Sequence, residues 1–282
     1  MIGLIVNADD FGEYRCVSAG ILQCIDAGSV LATGVMANSP LFEELATGLL
    51  RRPWADYGVH LNLSRGQPLT EVVAACLADN GVFPGKSRAA LAVLAGRLPV
   101  ACVEQEWRAQ IERALDAGLT LRFLNSHEHL HLIPALRRLT LELARAYGIP
   151  WVRVLQPERS GWSPAAWLRN AAVALLQGAR TGSGAQSPVC IGLAASGRLD
   201  PAALEQLLGR LPDSGCFELM CHPGHLDLQE VSDQRLLGYH RWEDECRLLC
   251  SQDFPAICSA AGVTMTRFRD LPCPAGELTW AR

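Results

Sequence analysis

Four times along the chain a helix-like segment closes on a glycine and an apolar run follows at once. Asp26-Ala27-Gly28 precedes Val30 to Met36, and Asp116-Ala117-Gly118 precedes Leu119 to Leu124. Ala146-Tyr147-Gly148 precedes Ile149 to Leu155, and Ala260-Ala261-Gly262 precedes Val263 to Met265. Glycine just past a helix takes the left-handed conformation that ends it. Most of the runs that follow do not alternate with polar residues, the pattern of strands covered on both faces. This rhythm predicts an α/β fold, open sheet or barrel, with mostly parallel strands and outer helices.

The helices themselves are readable in places. Val103, Trp107, Ile111 and Leu115 recur every four residues, with Glu104, Arg108, Glu112 and Arg113 between them, an amphipathic pattern. Leu136, Leu139, Leu143 and Tyr147 repeat it after Pro134, a residue suited to a helix start. Val17, Ile21 and Cys24 do so within Tyr14 to Ala27. A chain of 282 residues can bury one large core, and no compositional shift divides it. Residues 1–270 are therefore expected to form a single domain, with 271–282 as a C-terminal extension. Residues 64–99, broken by Gly66, Pro68, Gly81, Pro84 and Gly85, and the linker-like residues 180–188 read as insertions.

A net charge of −4 offers no basic footprint for nucleic acid or an anionic membrane. No stretch reaches the length of a membrane span, and the first residues lack the basic and long apolar regions of an export signal. The expectation is a cytoplasmic protein with no integral membrane segment. The 11 cysteines include no Cys-x-x-Cys pair. They lie in apolar segments (Cys24, Cys76, Cys190, Cys258) or four residues apart (Cys246, Cys250), and reduced thiols filling a core are expected.

Chemistry concentrates where strands end. The apolar run Ile2 to Val6 leads into Asp9 and Asp10 before Gly12. Such a pair can cap the following helix, or supply a metal ligand and a neighbouring general base. In Tyr57 to Leu63 the residues alternate, so His60 and Asn62 share one strand face. Leu119 to Leu124 leads into Asn125-Ser126-His127-Glu128-His129-Leu130-His131. Neutral imidazoles there suit zinc or a related divalent ion. If the segment stays extended, all three rings share a face; if it turns, only one or two converge. Glu218-Leu219-Met220-Cys221-His222 ends another strand at Pro223-Gly224, and His222 is a candidate general acid. Nearby His225 and Asp227 shape the loop. In barrels and open α/β sheets the C-terminal strand ends lie on one face, and that face carries the site.

Taken in order, Asn7-Ala8-Asp9-Asp10-Phe11-Gly12, Gly58-Val59-His60-Leu61-Asn62-Leu63, Gly66-x-Pro68-Leu69, Ser126-His127-x-His129-x-His131, Val152-Arg153 and Glu218-Leu219-Met220-x-His222-Pro223-Gly224 resemble the YdjC-like carbohydrate deacetylases. That family includes chitooligosaccharide deacetylases and a branch acting on hopanoid glycolipids. The resemblance implies a (β/α) barrel-like fold and removal of acetyl from an N-acetylated sugar of an oligosaccharide or glycoconjugate. It implies one divalent metal ion, Mg2+ or Zn2+, held by Asp10, His60 and His127, with Asp9 as the base. Asn125, His129, His131, Arg153 and Asn62 would support those residues or meet the substrate. Many members carry Asp where this chain has Asn125, which removes one charge beside the metal. A homodimer is common for such folds. The readings that compete are a metal-dependent phosphoesterase, a sugar isomerase, and a non-catalytic sugar-binding relative.

Overall fold

A computed structural model describes residues 1–77, 80–157 and 187–272. The N-terminal part alternates β1 (Ile2–Phe11), α1 (Arg15–Asp26), β2 (Ala32–Val35), α2 (Phe42–Leu50) and β3 (Asp56–Leu61). Three helices follow, α3 (Glu71–Leu77), α4 (Lys86–Leu94) and α5 (Val100–Asp116), then β4 (Leu121–Ser126) and α6 (Pro134–Ala146). The remainder is β5 (Trp151–Val152), β6 (Val154–Leu155), β7 (Val189–Ile191), α7 (Pro201–Leu208), β8 (Gly215–Cys221), α8 (Gln234–Tyr239), α9 (Trp242–Cys250), α10 (Asp253–Ala260) and β9 (Val263–Met265).

All strand pairs are parallel. The order is β5-β4-β3-β2-β1-β8-β7-β6, with β9 beside the first half of β1. The two ends of this path, β5 and β6, are one stretch of chain interrupted only at Arg153. The sheet thus curls round until its edges meet at that residue, and a nearly closed barrel results. The expected run from Ile149 to Leu155 is accordingly split: Val152 pairs with β4 and Val154 with β7. Arg153 turns its side chain inward, where it is buried.

Alternation along β1 sorts the layers. Leu4, Val6 and Ala8 face outward into the large core shared with α1, α5 and α9. Ile5 faces inward and packs with Ala32, Phe123, Trp151 and Phe268, which plug the barrel at the N-terminal strand ends. Above that plug the interior turns polar, with Asn7 hydrogen-bonded to Glu218. Strand alternation with an apolar floor and a polar mouth is the usual way a small barrel is filled on one end and functional at the other.

The amphipathic stripes become α1, α5 and α6, with boundaries within three residues of the expected ones. The 64–99 insertion holds α3 and α4. Of the linker-like residues 180–188 only 187 and 188 lie within the described residues, as do only 271 and 272 of the C-terminal extension. All described cysteines are free thiols. Among the described residues, no helix is long and apolar enough to cross a membrane.

Candidate active site at the strand ends

Asp9 and Asp10 lie inside β1, before its last residue Phe11, and the N-cap position of α1 is taken by Tyr14. The helix-cap reading of the acids is therefore set aside. Ala8 pairs with Thr33 but Phe11 pairs with Val35, so three steps of β1 oppose two of β2. The extra residue is a β-bulge, and Asp10 sits in it at φ 69°. Aspartate is among the few side chains that tolerate that conformation. Bulges re-aim side chains, and here the two neighbours no longer diverge. His60 touches both: Nε2 is 3.2 Å from Asp10 Oδ1, and Nδ1 is 3.8 Å from Asp9 Oδ1.

His60 on β3 reaches β1 across β2 because the intervening residue is Gly34. A Cβ at that position would stand 3.2 Å from Asn125 Oδ1 and 3.3 Å from the Cβ of His60. Asn125 is the register partner of His60 on β4 and binds it side chain to side chain. Its Oδ1 lies 2.8 Å from His60 Nδ1, and its amide nitrogen donates to Asp9 Oδ1 at 3.0 Å. A carboxylate can only accept, so the amide orientation is forced. Asn125 then accepts from Nδ1–H, which directs Nε2 of His60 at Asp10.

His127 follows directly after β4, and its Nδ1 lies 2.9 Å from Asp10 Oδ1. Glu128 and His129 then take positive φ values of 52° and 60°. This turn decides the fate of the three-histidine run: only His127 converges on the acids. His131 is tied down elsewhere. It exchanges hydrogen bonds with Ser126 Oγ and sits 3.3 Å from the carbonyl of Arg153, so it braces the chain where the barrel closes. His129 packs edge-on against His131. Asn62 also points away from the acids. It shapes the loop after β3 through Asn38, Ser64 and Arg65.

Asp10, His60 and His127 each offer one ligand atom, all within 4.8 Å of one another. One carboxylate and two imidazoles are a donor set that fits a divalent metal and leaves positions open. His222, at the end of β8, approaches with Nε2 4.0 Å from Asp10 Oδ2. Its backbone N–H is held by Glu245 at 2.6 Å.

The charges are arranged in two tiers. Below, Arg153 donates to Asp9 at 2.5 and 2.9 Å and to Glu218 at 2.6 and 2.9 Å, all out of solvent. Burial pushes the Asp9 carboxyl upward, but the Arg153 guanidinium, with His60, outweighs it and holds Asp9 below the usual carboxylate range. Above, burial likewise opposes ionisation of Asp10, yet His127 and His60 hold it well below the ordinary value. Burial works against charge on His127 too, but Asp10 beside it raises its pKa to about 9. His131 goes the other way: burial, then Arg153, bring it to about 3, so it is neutral.

Several participants escaped sequence reasoning. Glu218 was visible as an acid amid the apolar residues of a strand, a placement that demands a buried partner, but nothing local named Arg153 as that partner. Glu13 pairs with Arg65 at 2.6 Å, and Arg65 also reaches Asp233 at 2.9 Å and Tyr14 at 2.7 Å. Burial and the neighbouring Asp10 raise the Glu13 carboxyl. Gly34 carried the one signal that was readable, a glycine in the middle of a short apolar strand.

Comparison with known proteins identifies relatives of the whole chain. Carbohydrate deacetylases of Geobacillus stearothermophilus and Mus musculus are 28% and 30% identical to the chain. They align over 94% and 79% of it and over 96% and 78% of their own lengths. That of Halalkalibacterium halodurans is 32% identical over 79% of the chain and 86% of its own length. A crystal structure from Enterococcus faecalis, described as a proposed cellobiose-phosphate cleavage protein, superposes with a TM-score of 0.73 at 25% identity, covering 95% of this chain and 97% of the other. The family model for YdjC-like protein matches residues 3–260, and with the strand-end site in place the chain belongs to the YdjC-like family.

Proposed function

We propose that this enzyme removes the acetyl group from an N-acetylated amino sugar, using one divalent metal ion, Mg2+ or Zn2+, held by Asp10, His60 and His127. The observation that carries the reading is the convergence of those three side chains beside a second, separately held acid. The curated relatives' activity on carbohydrates supports it. When bound, such an ion polarises an acyl oxygen and makes water acidic near neutral pH.

The residues divide the remaining work. Asp9, kept ionised by Arg153 and aimed by Asn125, accepts the proton of the attacking water. His222, on the other side of Asp10, delivers a proton to the departing amine. Asn125 holds His60 in the tautomer that presents Nε2. An aspartate at 125 would keep the acceptor for His60 but set a second carboxylate against Asp9. The free thiols suit a reducing compartment, in line with a cytoplasmic location.

The experiment is an acetate-release screen over N-acetylated mono- and oligosaccharides, with and without chelator. Acetate release that stops on chelation and returns with Mg2+ or Zn2+ is expected. Phosphate release from phosphorylated disaccharides without acetate would move the assignment to a phosphoesterase, and full activity after chelation would remove the metal from it.

Two further outcomes follow from the geometry. Asn125→Ala frees the His60 ring, and metal affinity should fall by roughly 10–100-fold, read by titration of the metal-free protein. Separately, His127 must be neutral to bind a metal but titrates at about 9 in the metal-free protein. Metal binding at pH 7 should therefore release close to one proton from it, measured by calorimetry in buffers of different ionisation enthalpy. The sign for stability is the reverse. The raised pKa contributes metal-free stability that is complete below about 6.5 and is lost as pH rises through about 9.

A further inference from the structure

Three thiols meet at the interface of α1 and α9, in the core outside the barrel wall. Helix α1 runs from the end of β1 back to the start of the parallel strand β2, so its last turn lies at the N-terminal strand ends. Cys24 is in that turn, and Cys246 and Cys250, four residues apart, occupy the last turns of α9. Cys24 Sγ is 3.8 Å from Cys246 Sγ and 3.7 Å from Cys250 Sγ. All three sulfurs lie within 4.8 Å of one another.

We propose that Cys24, Cys246 and Cys250 form a second metal site, for a thiophilic divalent ion of the zinc class. Zinc–sulfur bonds of ~2.3 Å in a tetrahedron set their sulfurs ~3.8 Å apart, the spacing that Cys24 already keeps to each of the other two. An oxygen is at hand for the fourth position: Gln23 Oε1 lies 4.0 Å from Cys246 Sγ, beside the Gly20 carbonyl at 3.8 Å. The surroundings favour a cation. Two helix C-termini converge here, each with a partial negative charge; α1 has no basic residue in its last turn, and Arg247 in the last turn of α9 is paired with Asp244. Cys24 and Cys246 are buried, whereas Cys250 is partly exposed and opens a way in. Binding exchanges each thiol proton, released to solvent, for a bond to the ion. This site stands apart from the Asp10 centre and does not depend on the proposed deacetylation.

The test uses the full-length, reduced, metal-free protein titrated with Cd2+ and then Zn2+. Cadmium bound to thiolates gives an ultraviolet charge-transfer band, which oxygen and imidazole ligands do not. The expected result is one equivalent of band-forming Cd2+ per chain, displaced by Zn2+, unchanged in Asp10→Asn and lost in Cys24→Ser. Cys250→Ser, at the exposed edge, should weaken the band while the melting temperature of the metal-free protein is preserved, so the outcome does not hinge on the buried variant folding. Zinc should also shield Cys250 from alkylation. Absence of the band in the folded wild-type protein, or an undiminished band in Cys250→Ser, overturns the proposal. So does formation of a Cys24–Cys250 disulfide under mild oxidation with equal ease in the presence of Zn2+.

Discussion

Asp9→Asn and Asp10→Asn are expected to fail in different ways although the residues are adjacent. Asp10 is in contact with both His60 and His127. Its replacement by asparagine removes the only charged ligand of the proposed site. Metal affinity should drop by more than the roughly 10–100-fold seen when an outer partner is lost, and acetate release should vanish with it. Asp9 does not belong to that ligand set and is held from below by Arg153 and Asn125. Asp9→Asn should keep its metal affinity within a few-fold and lose turnover by about 10²–10⁴-fold, the usual contribution of a positioned base. Calorimetric metal titration beside acetate release separates the two. Equal loss of metal in both variants would show that Asp9 is a ligand and that the base lies elsewhere.

Arg153→Met should have the largest effect on stability. Arg153 stands where the barrel closes and is the shared partner of two buried carboxylates, Asp9 and Glu218. Methionine fills similar space but leaves both acids without a counter-charge. Breaking a buried pair from one side costs about 3–5 kcal/mol, measurable as a shift in the urea midpoint. The pH dependence identifies the cause. In the wild type, the depressed Asp9 carboxyl contributes stability above its unfolded value of about 3.9, lost as pH falls through the lower folded value. Without the guanidinium, burial is opposed only by the neighbouring imidazoles, and the Asp9 carboxyl is raised. The deficit of the variant should therefore shrink as pH is lowered from 7.5 towards 5, because protonation relieves the buried charge. A deficit that stays constant with pH would assign the loss to packing.

The two experiments bear on what could be read in advance. The helix–glycine–strand rhythm and the unbroken apolar strands were enough for a parallel α/β sheet, open or closed, because burial on both faces leaves its mark on every strand residue; the closed form was implied only by the family resemblance. The strand-end acids and imidazoles could be listed together for the same reason: in such folds every strand delivers its C-terminal end to one side. Local pattern failed where partners come from opposite ends of the chain. Glu218 and Arg153 are 65 residues apart, and Asp9 and Arg153 are 144 apart. The cysteines met the same limit. Cys246 and Cys250 could be placed on one helix, but Cys24 lies over 220 residues away.

The histidine run shows the division most clearly. By local pattern alone, His127, His129 and His131 were three equal candidates whose number of participants depended on whether the chain turned; only the family resemblance singled out His127. The positive φ of Glu128 and His129 settled it for His127, and His131 became a brace for the Arg153 carbonyl. Asp9 and Asp10 follow the same course. Residue types and order alone determined that two acids and several imidazoles end up at one barrel mouth. Which acid faces the histidines and which faces Arg153 was decided by a one-residue bulge against β2. A bulge is a mismatch between two strands, and the sequence of either strand alone does not contain it.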